Sequence, residues 1–195
     1  MTAWISTADV QAWIGADLTT DQATDLADAA TSVARDWLER DLELATFTET
    51  YDSLGTDYVL LNAWPIRTLT SIAINNEAPL APAAFGRAGW GLDPTNPRKV
   101  RFPGRRVPRG IQNIAVTYTA GYDLTQPAGS PTGLPGAVRK ALQLIASALT
   151  NAQAADPNLA SENTGGVFSG SFYATGVGAI PPGARTLLQS YRRIA

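Results

Sequence analysis

The sequence contains no cysteine and no histidine. That excludes disulfides, zinc sites built from Cys and His, Ser-His-Asp or Cys-His catalysis, and any histidine proton shuttle. The lack of cysteine is compatible with a cytosolic origin. Long apolar runs are missing too. The longest extend over only a few residues, against the roughly 20 that a membrane helix needs, so no membrane partner is expected. Met1 to Ile14 lack the basic start and long apolar stretch of an export signal, and no export is expected.

Net charge at pH 7 is only −2, but its distribution is uneven. Residues 1–60 hold twelve Asp and Glu against two Arg, Arg35 and Arg40; residues 61–195 hold thirteen Lys and Arg against five acids. Two readings stay open. The acidic part of one copy meets the basic part of the next, or the two halves neutralise each other within one subunit. With 45% apolar residues, a chain of 195 suits one domain, or one core with extensions.

Two capping boxes mark helix starts. Ser6 with Asp9 opens a short helix over 7–14, which Gly15 ends. Thr19 with Gln22 opens a longer one over 20–42, whose apolar stripe runs through Ala23, Leu26, Ala27, Ala30, Val33, Ala34, Trp37 and Leu38. The period then changes to two. Strands are expected at Phe47–Tyr51, at Tyr58–Leu61 after a turn over Asp52–Asp57, and at Leu69–Ile74. A Pro-rich loop spans 77–97, with a short strand near Trp90. Strands at Lys99–Phe102 and Ile111–Thr119 follow, and Pro135 opens a helix over 135–154 carrying Val138, Ala141, Leu142, Ile145, Ala146 and Leu149 on one face.

The fold class expected is therefore α+β: a small helical bundle with a segregated antiparallel β-sheet or hairpin region and an extended C-terminal arm. Residues 1–155 form a single domain in this reading, with strands between 46 and 119. Residues 156–195 form a flexible arm ending in a short helix.

Catalytic patterns are weak. Asp17, Asp21, Asp25 and Asp28 could converge on a cation, but acids at a helix start also suit a solvated face favoured by the helix dipole. No pair of carboxylates is marked for glycoside hydrolysis. The Gly-rich stretch 86–91 lacks the Lys-Ser/Thr of a phosphate loop. No catalytic, cofactor or metal site is assigned, and a carboxylate-based hydrolase is the least favoured reading.

Interaction patterns are stronger. Arg98, Lys99, Arg101, Arg105, Arg106 and Arg109 lie within a twelve-residue stretch free of acids and broken by Pro103, Gly104 and Pro108. Such a loop can meet phosphates or an acidic protein surface. A sequence pI near 5.1 favours a protein partner over DNA. Further on, Phe168, Phe172 and Tyr173 sit in a Gly/Ser-rich run, and Leu187, Leu188, Tyr191, Arg192 and Arg193 form a basic amphipathic tail. Apolar side chains on such an arm imply ordering against another chain.

Several weak motifs in a fixed order resemble one family. They are Thr20-Asp21 with Ala30 and Val33; Thr48-Glu49-Thr50-Tyr51; Leu60-Leu61-Asn62-Ala63-Trp64-Pro65-Ile66; and Leu69-Thr70-Ser71-Ile72. Val116-Thr117-Tyr118-Thr119-Ala120-Gly121-Tyr122, Leu134-Pro135-Gly136-Ala137-Val138 and Ser161-Glu162 follow, before the tail of Leu187, Leu188, Tyr191, Arg192 and Arg193. Nearly the whole chain thus resembles the head-tail connector (adaptor) proteins of long-tailed bacteriophages, prophages and gene-transfer particles. The resemblance implies a non-enzymatic virion protein without cofactor, made in the host cytoplasm and located in the neck. It implies a ring, commonly of twelve subunits, between the portal and a stopper or tail-completion protein. DNA would pass through the lumen without being read. Another tail-completion or neck assembly protein is the alternative.

Overall fold

The computed structural model describes residues 2–15, 17–77, 89–127, 129–154, 161–164, 168–171 and 180–192. It resolves into two units: residues 1–41 with 124–195, and residues 42–123. This partition differs from the expected domain over 1–155 with an arm over 156–195, because the chain leaves the helices for the strands and then returns.

In the first unit, α1 (Thr7–Ile14) and α2 (Thr20–Leu38) follow from their caps and stripes, and α3 (Gly136–Ala154) from its apolar face. Ser6 Oγ accepts from Asp9 N at 3.1 Å while Asp9 returns a bond to Ser6 N. Thr19 and Gln22 do the same. Each such cap is worth about 1 kcal/mol. The expected run of α2 to residue 42 is corrected. Glu39 turns left-handed at φ 57° and its N–H closes on Arg35 O, so the ladder stops at Leu38. Leu42 continues the apolar period but lies in the second unit, where its carbonyl accepts from Tyr122 N.

The helical core is rich in small residues. Ala23, Ala27, Ala30 and Ala34 of α2 and Ala141 and Ala146 of α3 are buried with Leu26, Leu38, Val138, Leu142 and Ile145. Small side chains let the helices approach closely. Trp37, part of the apolar stripe expected on α2, is only half-buried, and Arg192 lies 5.5 Å from its ring centroid. Trp37 sits at the margin of the stripe, where a large ring meets water.

A fourth helix, α4 (Pro182–Leu188), begins with the Pro-Pro pair and packs on α3. Ile180, Ala184 and Leu188 are buried beneath it. A single 3-10 turn, Gln189–Tyr191, follows.

The second unit holds β1 (Ala45–Ser53), β2 (Tyr58–Leu60), β3 (Ile66–Ile74), β4 (Gly91–Leu92), β5 (Lys99–Arg101) and β6 (Gly110–Ala120). They form two antiparallel sheets, ordered β1-β6-β3 and β2-β5-β4. The expected hairpin of β1 with β2 is corrected. β1 pairs along its length with β6, Phe47 opposite Tyr118 and Tyr51 opposite Ile114, whereas β2 is short and joins β5. The alternating run Ile114, Val116, Tyr118, Ala120 needs a long strand on each side, and among the described strands β1 and β3, at nine residues each, are long enough. These four residues pack with Ile72, Ile74, Val59, Leu61, Val100 and Phe102 in the core of this unit.

Beyond α3, β7 (Ser161–Thr164) and β8 (Phe168–Ser171) pair antiparallel, where the Gly/Ser-rich composition predicts an irregular arm. Residues 78–88 of the Pro-rich loop, and Phe172, Tyr173 and Arg193, lie outside the described residues.

Candidate interaction surface

Three of the sequence motifs meet in the strand unit. Alternation along β1 puts Phe47, Glu49 and Tyr51 on one face. Tyr118 of β6 stacks on Phe47, with ring centroids 5.5 Å apart. Tyr51 Oη donates to Glu49, and Tyr118 Oη donates to the same carboxylate oxygen at 2.7 Å. The two phenol oxygens then accept from the turn that follows β2: Asn62 N to Tyr51 Oη and Ala63 N to Tyr118 Oη, each at 3.0 Å. Thus Glu49-Thr50-Tyr51, Asn62-Ala63-Trp64-Pro65 and Thr117-Tyr118-Thr119 form one hydrogen-bonded cluster. Burial, and then the Glu49 bond, push the Tyr118 phenol up to about 12 and raise Tyr51 as well.

The end of the same motif is a close backbone crossing. Gly121 has φ +113°, and its N–H donates to Pro65 O at 3.0 Å. A Cβ there would lie 2.4 Å from Glu43 O. Tyr122 N donates to Leu42 O and Leu44 N donates to Tyr122 O, which ties the chain entering the unit to the chain leaving it. The Ala-Gly-Tyr sequence is therefore structural.

At one end of this unit, the turn after β1 lies beside the start of β6, with Ser53 opposite Gly110. Asn113 holds the end together: its Oδ1 accepts from Ser53 N at 3.1 Å, and its Nδ2 donates to Pro108 O at 2.8 Å and Asn75 Oδ1 at 3.3 Å. Gln112 is left-handed at φ 48°, its N–H donating to Asp52 Oδ1 at 2.6 Å. Leu54 and Ile111 project from this end and are 76% and 86% exposed. Sequence reasoning missed both. The signal was parity: Ile111 is out of phase with Ile114, Val116 and Tyr118.

The basic run is divided by the fold. Lys99 and Arg101 of β5 both approach Asp93, at 3.9 and 2.7 Å, across the short β4–β5 pairing. Thr95 and Arg101 hold the Asp93 carboxyl well below the usual carboxylate range, and Asp93 in turn raises Arg101. Lys99 Nζ also lies 4.2 Å from the Tyr58 ring centroid. The stretch free of acids in sequence thus contains an internal ion-pair cluster in space. Arg98 Nε reaches Leu61 O at 3.5 Å. Among the described residues, Arg105 and Arg106 form no ion pair with an acid, and Arg109 Nε donates to Leu54 O at 3.2 Å beside the exposed apolar pair.

The helical unit presents the opposite sign. Asp17, Asp21, Asp25 and Asp28 are all exposed, and among the described residues no cluster of acids is arranged to hold a metal ion. Other charges close within the unit: Asp9 with Arg139, Glu39 with Arg192, and Asp41 with Arg35 at 3.1 Å. Burial opposes ionisation of Asp9, but bonds from Arg139 and Ser6 outweigh it and lower its pKa. Part of the charge asymmetry is therefore neutralised within the subunit. In the tail, Leu188 is fully buried and belongs to the core, a correction to its place among exposed docking residues. Leu187 and Tyr191 are half-buried and Arg192 is exposed. Phe168 lies in β8.

No protein-family profile and no curated protein matches the sequence. Solved structures do match in fold. A chain in the neck of an empty GTA particle, computed with C6 symmetry, superposes with TM-score 0.59 at 17% identity, covering 100% of this chain and 94% of that one. A chain in the neck of a native GTA particle, computed with C12 symmetry, gives 0.55 at 18% identity over 97% and 88%. A chain of the virion of a native gene transfer agent particle gives 0.56 at 17% identity over 98% and 90%. At these identities the likeness establishes a shared α+β fold along nearly the whole chain.

Proposed function

We propose that this chain is a structural component of the neck of a phage-like particle, a head-tail connector without catalytic activity. The observation that carries this reading is the agreement in fold over essentially the full length with chains from GTA particle necks. The C6 and C12 symmetry of those necks supports a ring of copies of this chain, with twelve as the expected number. In this reading the ring meets the portal on one side and a stopper or tail-completion protein on the other, and genomic DNA passes through without sequence readout. The protein needs no cofactor. It is made in the host cytoplasm and resides in the virion neck.

The physical features agree with such a role. A ring contact is heterologous, so each copy presents two different surfaces. This chain offers an acidic helix face on one unit and exposed arginines on the other. Arg98, Lys99, Arg101, Arg105, Arg106 and Arg109, with Phe168, Phe172, Tyr173, Leu187, Tyr191, Arg192 and Arg193, remain the interaction residues of the proposal. Lys99 and Arg101 act partly through their Asp93 pairs. The test is disruption of the gene followed by electron microscopy of particles. Filled heads without attached tails, restored by a supplied copy, are expected. Normal joined particles would overturn the reading.

A further inference from the structure

Apolar surface at the Ser53/Gly110 end of the strand unit is left uncovered by its own fold. A single exposed Leu or Ile is ordinary. Here Leu54 and Ile111, 76% and 86% exposed, share one end. The backbone that carries them is fixed rather than loose. Asn113 ties Ser53, Pro108 and Asn75 together, and Gln112 is held in a left-handed conformation by Asp52. Irregularities of this kind at a sheet end re-aim side chains. Arg109 is bonded to the Leu54 carbonyl, and Arg105 and Arg106 lie in the adjoining loop, whose Val107 N donates to Thr56 O at 2.9 Å. Arginine is enriched at interface hot spots, and the apolar pair beside it supplies area that a partner can take out of water.

A complementary surface exists on the same chain. On a helix, residues three and four apart share a face. Asp21, Asp25, Asp28 and Asp36 of α2 therefore form an exposed acidic stripe, extended by Asp17 just before the helix. Among the described residues, none of these carboxylates takes part in an ion pair. Half-buried Ala29, Val33 and Trp37 run along one edge of the stripe. Acids beside an apolar margin match arginines beside an apolar pair.

We propose that the Leu54/Ile111 end of the strand unit, with Arg105, Arg106 and Arg109, docks on the outer face of α2 in a second copy of this chain. The proposal rests on the ring reading above and assigns that ring its contact. Leu54 and Ile111 bury against the Ala29, Val33 and Trp37 margin, and the arginines face Asp21, Asp25 and Asp28. The charge pairs fix register and exclude contacts between like surfaces.

The chain has no cysteine, so introduced thiols are unique reporters. An Ile111→Cys variant and an Ala29→Cys variant are mixed and oxidised. The expected product is a mixed dimer in excess of either homodimer. Arg105→Glu with Arg106→Glu in the first variant should lower its yield at least about tenfold. Asp25→Lys with Asp28→Lys in the second should restore it. Circular dichroism of each variant confirms folding. Absence of the mixed dimer while native mass spectrometry still shows ring species would overturn this contact and leave the ring reading standing. A cross-link that forms inside a chain carrying both cysteines, independent of concentration, would also overturn it. Protein that is monomeric both free and when recovered from particles would overturn the contact and the ring reading together.

Discussion

Replacing Gly121 by alanine should cost far more than replacing Gly104, although both glycines have φ in the region that disfavours side chains, +113° and +71°. For an L-residue, that backbone costs about 1–2 kcal/mol. Gly104 has no atom within 4 Å of an added Cβ, so the conformational cost is the whole cost there. At Gly121 the added carbon meets Glu43 O at 2.4 Å, Glu43 C at 2.8 Å and Leu42 O at 2.9 Å, and all three are backbone. The crossing must open. It is closed by the Tyr122 N to Leu42 O and Leu44 N to Tyr122 O bonds, worth about 1 kcal/mol each when lost. The sum is about 3–4 kcal/mol for Gly121→Ala against about 1–2 kcal/mol for Gly104→Ala. At roughly 2–4 °C per kcal/mol for a chain of this size, Tm should fall by roughly 10 °C and roughly 4 °C respectively. Scanning calorimetry on the two variants reads the difference. Equal Tm values would refute the argument that the Ala-Gly-Tyr segment is fixed by a close backbone crossing.

Leu142→Ala empties a fully buried position on α3 and should cost about 2–5 kcal/mol in denaturant unfolding; a loss below about 0.5 kcal/mol would mean that this face of α3 packs on nothing. Tyr118→Phe removes the donor to Glu49 and the acceptor of Ala63 N, for about 1–3 kcal/mol. Because the Tyr118 pKa is raised to about 12, its stabilisation is complete below the unfolded tyrosine value near 10 and is lost as pH rises through 12. The gap between wild type and Tyr118→Phe should therefore close over that alkaline window, and a constant gap would contradict the raised pKa. Asp93 has a lowered pKa, so its contribution is present above the unfolded carboxylate value near 3.9 and disappears as pH falls through its lower folded value. Asp93→Asn should be less stable than wild type at pH 7 and converge with it in strong acid, as followed by thermal melts.

The parts legible in the sequence were those set by near neighbours. Ser6 with Asp9 and Thr19 with Gln22 located two helix starts, and the stripe through Ala23, Leu26, Ala30 and Ala34 located a buried face. The end of α2 was not legible, because Leu42 keeps the apolar period although Glu39 has already left the helix. Strand partners were not legible either. Tyr51 and Ile114 pair across a long stretch of chain, and nothing local distinguishes that from a hairpin with β2. The same limit affects charge. Asp93 lies several residues before Lys99 and Arg101, yet the β4–β5 pairing sets its carboxylate against both. The short C-terminal helix looked like a segment awaiting a partner, since a tail of seven helical residues has too little apolar area to fold alone. Its buried side, Ala184 and Leu188, packs on α3 of the same chain.

The proposed function places this protein in the ring of a particle neck. Its most direct test is a cryo-electron reconstruction of that neck from particles carrying an epitope-tagged copy of the chain, marked with a Fab. Twelve copies in one ring between the portal and the tail are expected, each adopting the two-unit fold described above. Fab density elsewhere in the particle, or a neck from which the chain is missing, would contradict it.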